Sequence, residues 1–237
     1  MDERIDYDAL KRRGFLKSRH DGYFTLRTRM PAGNYDSLHL DKVAYIAKKY
    51  GRGISHLTTR QGIEVPYIKF SDIDKVEQDF KQAGIQAGTS GPRLRPTTCC
   101  PGNNWCKQGL VDTFALYKKI EDTGITCPME LPHKFKIVIS GCPNACTRAQ
   151  GSEIGIHGVA DTTGAVRRIG YAVYLGGCGG RTPRMGFKLD KIYDEDGVLD
   201  IIKKVVTYFR DNAKSRQRLA LLIEEMGREK FLKAISI

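Results

Sequence analysis

Nothing in this chain is long and apolar enough to cross a bilayer: no run of about 18 apolar residues occurs, which argues against a spanning helix. The opening segment M-D-E-R-I-D-Y-D carries charge where a signal peptide needs an apolar core, so a cytoplasmic protein without membrane contact is expected. No glycine-rich nucleotide fingerprint and no Cys-x2-Cys-x2-Cys run is present. A built-in flavin, nicotinamide or ferredoxin module is thereby excluded. Aromatics are sparse beside the basic stretches, and no nucleic-acid module is recognisable. The net charge of +12, from 39 Lys and Arg against 27 Asp and Glu, is therefore not assigned to nucleic acid. It reads as a solvated basic surface or as counter-charge to a strongly anionic ligand.

Cysteine is the informative residue. There are seven, an odd number, and four fall in two clusters: Cys100 and Cys106 in C-P-G-N-N-W-C, and Cys142 and Cys146 in G-C-P-N-A-C. This fits metal ligation in a reducing compartment better than a disulfide framework. Two thiolate pairs about forty residues apart suit an iron–sulfur cluster gripped from two loops, because sulfide-bridged iron prefers soft anionic ligands. Structural zinc is the alternative, although the five-residue gap of the first pair is wide for it. Pro143 stiffens its loop, and Gly102 and Gly141 allow close backbone approach; ordinary turn chemistry is the competing explanation. Cys127 and Cys178 have no partner at ligand spacing and read as core thiols.

The periodicities predict an α+β chain of 237 residues in two regions, 1–86 and 87–237. Tyr23 to Arg29 alternate as a strand, and Ser37 to Tyr50 form a helix with Leu40, Val43, Ala44 and Ala47 on one face, ending at Gly51. Strands at Ile54 to Thr59 and Ile63 to Ile68 are joined through Arg60-Gln61-Gly62. A second helix, capped by Ser71, then buries Ile73, Val76 and Phe80 before Gly84. In the second region a helix is predicted over Lys107 to Ile120, with its N-terminal end beside Cys106. Strands follow at Phe135 to Ile139, Ile154 to His157 and Tyr171 to Leu175, and closing helices at Val198 to Asp211 and Arg216 to Met226.

The cysteine pattern resembles the sirohaem and [4Fe-4S] signature of the nitrite and sulfite reductase family. The resemblance continues through L-R-T-R-M-P-A-G (Leu26 to Gly33), H-L-T-T-R-Q (His56 to Gln61), L-P-H-K-F-K (Leu131 to Lys136) and N-A-K-S-R-Q-R-L with G-R-E-K-F near the end. It implies a ferredoxin-like half-domain followed by a sirohaem and [4Fe-4S]-binding α+β domain, as in a small single-repeat sulfite reductase. It also implies cluster ligation by Cys100, Cys106, Cys142 and Cys146, with Cys146 bridging to the sirohaem iron. Family spacing favours Cys100 over Cys99. By the same resemblance Arg29, Arg95, Lys134 and Lys136 bind the substrate oxyanion, while Arg27, Arg60, Arg93, Arg181 and Arg184 are candidates for the sirohaem carboxylates. Cys178, in L-G-G-C-G-G-R-T-P-R, falls where the family's segment approaches the cofactor.

Strand alternation would put Lys134 and Lys136 on one face, aimed at one small anion; a solvated strand edge is the other explanation. A second lysine suits doubly charged sulfite better than nitrite, and sulfite is the expected substrate with nitrite as a side activity. A pure iron–sulfur electron carrier and a non-catalytic sirohaem subunit are the rival readings. His133 stands where the family commonly has Arg, and the spacing of Arg93 and Arg95 from the cysteines departs from the longer members. Only one copy of the family's repeat is present. Two chains sharing basic residues across a homodimer are expected, with a self-contained monomer as the alternative. Electrons would come from a separate donor, such as an acidic ferredoxin steered by the basic surface.

Overall fold

Tyr23–Arg29 (β2) and Ile63–Lys69 (β4) pair antiparallel with Leu26 opposite Val65. Their residues Phe24, Leu26, Ile63, Val65 and Ile68 enter one core. The computed structural model describes residues 5–162 and 167–237, and the chain forms two units, Met1–Gly91 and Pro92–Ile237.

In the first unit Tyr7–Arg12 (α1) and Phe15–Lys17 (β1) precede β2. Ser37–Tyr50 (α2), His56–Leu57 (β3), β4, Ile73–Gln82 (α3) and Gln86–Ala87 (β5) complete it. The sheet runs β1-β2-β4-β3, and β5 pairs with β2 at Thr28 and Arg29, which keeps residues 86 and 87 with this unit. α2 and α3 lay Val43, Ile46, Ala47, Ile73, Val76 and Phe80 into the core, giving the expected ferredoxin-like half-domain.

Three details differ from the sequence-based expectation. The buried stripe of α2 follows an i, i+3, i+4 pattern from Val43, so Ile46 is covered while Leu40 and Ala44 are exposed. Ser71 lies in a 3-10 turn and does not cap α3; Asp72 takes that position without a side-chain hydrogen bond. The strand expected at Ile54 to Thr59 shortens to β3 because Thr58 turns the chain, its hydroxyl accepting from the N–H groups of Arg60 and Gly62 at 3.3 and 3.2 Å.

In the second unit, Thr98–Cys99 (β6), Ile137–Ser140 (β7), Ile154–Asp161 (β8), Arg168–Leu175 (β9) and Phe187–Lys188 (β10) form a sheet in the order β10-β9-β8-β7-β6. β6, β7 and β8 run parallel, while β9 and β10 are antiparallel. Thr113–Asp122 (α4) connects β6 to β7, and Glu195–Asn212 (α5), Leu219–Met226 (α6) and Arg228–Ala234 (α7) follow β10. Phe135, fully buried, packs on Phe209 of α5 with ring centroids 5.2 Å apart.

α4 begins at Thr113, later than predicted, because Asp112 caps it by accepting from the N–H groups of Phe114 and Ala115 at 3.0 and 2.9 Å. The segment 107–112 is therefore loop, and the helix N-terminus expected beside Cys106 is not there. Phe135 joins Leu94 in an isolated parallel bridge ahead of β7. α5 starts early because Asp194 caps it through Gly197 N–H at 2.9 Å. α6 starts late because Arg216 takes a left-handed φ of 65°. Among the described residues no helix is long and apolar enough to cross a membrane.

Candidate functional site

The ends of the parallel strands carry the cysteines. Cys100 follows β6 and Cys142 comes just after β7, with the Cys100 N–H donating to Ile139 O at 3.2 Å. The two loops are then tied together: Gly141 N–H donates to Cys100 Sγ at 3.0 Å, Leu110 N–H to Gly141 O at 2.8 Å, and the Thr113 hydroxyl to Cys100 O. Contact this close requires glycine. A Cβ on Gly141 would stand 2.5 Å from Gly102 Cα, and one on Gly158 would stand 2.5 Å from Gly141 O.

All four cluster candidates are free thiols; Cys142 is buried, Cys100 half-buried, and Cys106 and Cys146 exposed. Four soft donors on two interlocked loops fit the demands of an iron–sulfur cluster. Among the described residues no three His, Cys, Asp or Glu side chains converge on one metal-ion position. Cys99 is buried in β6, and burial, reinforced by the neighbouring Cys100, pushes its thiol up to about 12 against the opposing hydrogen bond of Thr113. Cys127 and Cys178 are also buried. Trp105, between the first two cysteines, is 69% exposed and meets the Phe114 ring edge-on at 5.2 Å.

The beginnings of the same strands carry cations. Arg95 N–H donates to Phe135 O at 2.8 Å and Ile154 N–H to Lys136 O at 3.1 Å, so the segments holding Arg93, Arg95, Lys134 and Lys136 lie side by side. Because Phe135 points into the core, extended alternation places half-buried Lys134 and Lys136 together on the opposite side. β9 ends at this edge, where Cys178 and Arg184 bridge a hairpin carrying exposed Arg181. Lys136 and Cys142 are thus separated by about 20 Å of extended backbone at ~3.3 Å per residue.

Several predicted arginines already hold carboxylates. Arg93, buried, donates to Glu130 at 2.7 Å; Arg184 forks onto Glu224, one bond being 2.9 Å; and Arg27 donates to Glu64 at 2.8 Å. In the first unit Arg29 is buried at the end of β2, and Arg60 is half-buried in the turn after Thr58.

Two residues at the cationic edge were assigned no role from sequence. Glu153, fully buried just before β8, accepts from Arg218 Nε at 2.9 Å and also from its Nη2, while Arg218 Nη1 donates to Gly179 O at 3.3 Å. The tail segment N-A-K-S-R-Q-R-L contained Arg218; nothing in the sequence marked its partner Glu153. His133 sits in the same place. Its Nδ1 accepts the Lys134 N–H at 2.7 Å. Burial first, and then the charges of Arg218, Lys134 and Arg95, hold its pKa below the ordinary histidine value.

Residues 90–237 match the family described as "Nitrite and sulphite reductase 4Fe-4S domain", and residues 17–83 match "Nitrite/Sulfite reductase ferredoxin-like half domain". The chain belongs to this nitrite and sulphite reductase family. Among its relatives is the coenzyme F420-dependent sulfite reductase of Methanocaldococcus jannaschii, 31% identical over 94% of this chain and 44% of that protein. The nitrite reductase [NAD(P)H] of Bacillus subtilis is 29% identical over 87% of this chain and 24% of its own length. The structure of the Mycobacterium tuberculosis NirA protein superimposes with a TM-score of 0.82 at 20% identity, over 96% of this chain and 45% of that one, which establishes the shared fold. The chain spans less than half the length of these relatives.

Proposed function

We propose that this member of the family carries out the six-electron reduction of sulfite to sulfide, with nitrite as a secondary substrate, in a site shared between two copies of the chain. The carrying observation is the placement of thiols at one edge of β6, β7 and β8 and of cations at the other. In this reading Cys100, Cys106, Cys142 and Cys146 would hold a [4Fe-4S] cluster, and Cys146 would also help to hold the sirohaem. When bound, this pair supplies the electrons and the iron at which the oxyanion is reduced.

The chain's own residues do the rest. Lys134, Lys136 and Arg95 offset the charge of the bound oxyanion and polarise its oxygens toward protonation, and Arg29 is kept as a first-unit candidate for the same role. With about 20 Å of backbone between Lys136 and Cys142, the cations of one chain serve the cofactor of a second. Arg181, exposed on its hairpin, is the second-unit arginine best placed to reach a cofactor carboxylate, whereas Arg93 and Arg184 are occupied by Glu130 and Glu224. Arg27 and Arg60 are kept as first-unit candidates for the same role. Sulfite is favoured because the lysine pair supplies two positive charges to a doubly charged anion. The name of the M. jannaschii relative points the same way, and that of the B. subtilis relative supports nitrite as the second substrate. Electrons come from a separate donor of acidic character, such as a ferredoxin, drawn by the net charge of +12.

Complementation tests the shared site. Chains bearing Cys142→Ser and chains bearing Lys136→Asn, each expected to be poor in sulfite turnover alone, are co-expressed with different tags and the mixed dimer is purified. One of its two sites is intact, so about half of the wild-type turnover returns. No recovery in a verified mixed dimer overturns sharing. In the Lys136→Asn protein alone, sulfite turnover falls more than nitrite turnover; an equal loss overturns the substrate assignment.

A further inference from the structure

Among the five histidines of the chain, His133 alone stands inside the cationic edge. Three separate segments enclose it: the Leu131 to Lys136 segment itself, the Arg93 to Arg95 segment bonded to Phe135, and the turn before α6, where Arg216 N–H donates to Pro132 O at 3.0 Å. Three cations, Arg218, Lys134 and Arg95, act on it through their charge. Arg218 is itself paired with Glu153, whose Oε1 accepts from both its Nε and Nη2 while the buried Oε2 has no hydrogen-bond partner among the described residues.

The hydrogen bond at Nδ1 specifies a protonation state. A ring nitrogen that accepts the Lys134 N–H carries no proton, so the observed arrangement belongs to the neutral imidazole, with any proton on Nε2. An imidazolium, which has two N–H donors and no acceptor, cannot make this bond. Charging His133 therefore requires the ring to leave Lys134 N–H and turn both donors elsewhere. The surrounding cations oppose that change until a negative group sits among them, and an anion would reverse the balance.

We infer that His133 is a proton-coupled anion receptor: neutral and bonded to the Lys134 N–H when the cationic edge is empty of anion, and protonated with its ring released when an anionic oxygen binds there. The anionic oxygen belongs either to a small doubly charged oxyanion or to a tetrapyrrole carboxylate. The inference rests on the oxyanion-site reading and extends it, since anion binding then brings one proton with it. The step is ionic and balanced: the anion enters together with one proton given up by the buffer acid, which is left as its conjugate base, and His133 gains the positive charge.

Sulfate is a suitable probe because it is doubly charged and does not titrate near neutral pH. Calorimetric titration of the cofactor-loaded protein in two buffers of different ionisation enthalpy at pH 7 gives the protons taken up per sulfate bound. Roughly 0.5 to 1 proton is expected for the wild type and close to none for His133→Asn, which keeps hydrogen-bonding groups but cannot charge. The same comparison is made on loading sirohaem into the cofactor-free full chain. Uptake with sulfate assigns the receptor to the oxyanion. Uptake confined to cofactor loading, and lost in His133→Asn, assigns it to a carboxylate. Sulfate binding and cofactor loading that are both free of His133-dependent uptake overturn this inference alone. A wild-type protein that binds no sulfate, and in which sulfate does not compete with sulfite, overturns the oxyanion-site reading itself.

Discussion

The two edges of the parallel strands in the second unit are held by different means. At the cysteine edge close packing adds to the hydrogen bonds between the loops: Gly102, Gly141 and Gly158 bring backbone against backbone with no room for a side chain. At the other edge the segments are held by charge and hydrogen bonds, with Glu153 buried beneath Arg218 and the lysines left half-buried. A soft, multi-atom ligand such as a cluster needs fixed donors, whereas a small anion needs cations that can be approached and partly desolvated. The contrast teaches that one sheet can present a closely packed thiol-bearing end and a more open cation-bearing end.

The contrast is most severely tested by Gly141→Ala. Its Cβ meets the Gly102 backbone, which cannot step aside, so a loss of at least about 4 kcal/mol is expected, together with loss of bound iron. Iron per chain and urea unfolding check this; retention of a full complement of iron at unchanged stability would show that the interlock is dispensable. Glu153→Ala strikes the other edge. It leaves Arg218 nearly buried without its counter-ion, for an expected cost of about 3 kcal/mol, and should weaken sulfite affinity while sparing iron content. Equal damage to iron and affinity would show the two edges to be coupled.

Asp112→Ala is the mildest of the three, at about 1 kcal/mol for the lost cap of α4. It also frees Asn104, which donates to Asp112 at 2.9 Å within the first cysteine loop. Hydrogen bonds from Ala115 N–H and then Asn104 hold the Asp112 carboxyl below its ordinary value, opposed by slight burial. Its stabilisation is therefore complete above the ordinary aspartate value near pH ~4 and disappears as pH falls through the lower folded value. The melting-temperature gap between wild type and variant should be constant from neutral pH down to that point and close below it.

Local patterns were read well and long-range partners were not. Val43 and Ala47, or Ile73, Val76 and Phe80, announce their helices because burial repeats with the helical turn. The start of α4 was missed because Phe114 and Tyr117 continue an apolar spacing that Leu110 also satisfies, and only the Asp112 cap reveals the break. The two cysteine clusters stood out by their spacing, whereas the choice of Cys100 over Cys99 came from the family resemblance. What spacing could not show is that Arg93, Lys136 and Arg184, far apart in sequence, arrive at one strand edge, or that Glu153 waits there for Arg218. Those meetings depend on the order in which β6, β7, β8 and β9 pair, and no local pattern encodes strand order.

Trp105 gives the cysteine edge an optical property of its own. It is the sole tryptophan in 237 residues and lies between Cys100 and Cys106, largely in water with one side against Phe114. All indole emission from the protein therefore originates in a single loop. Filling, oxidation or covering of that loop is open to observation by light in the intact protein, with no label added.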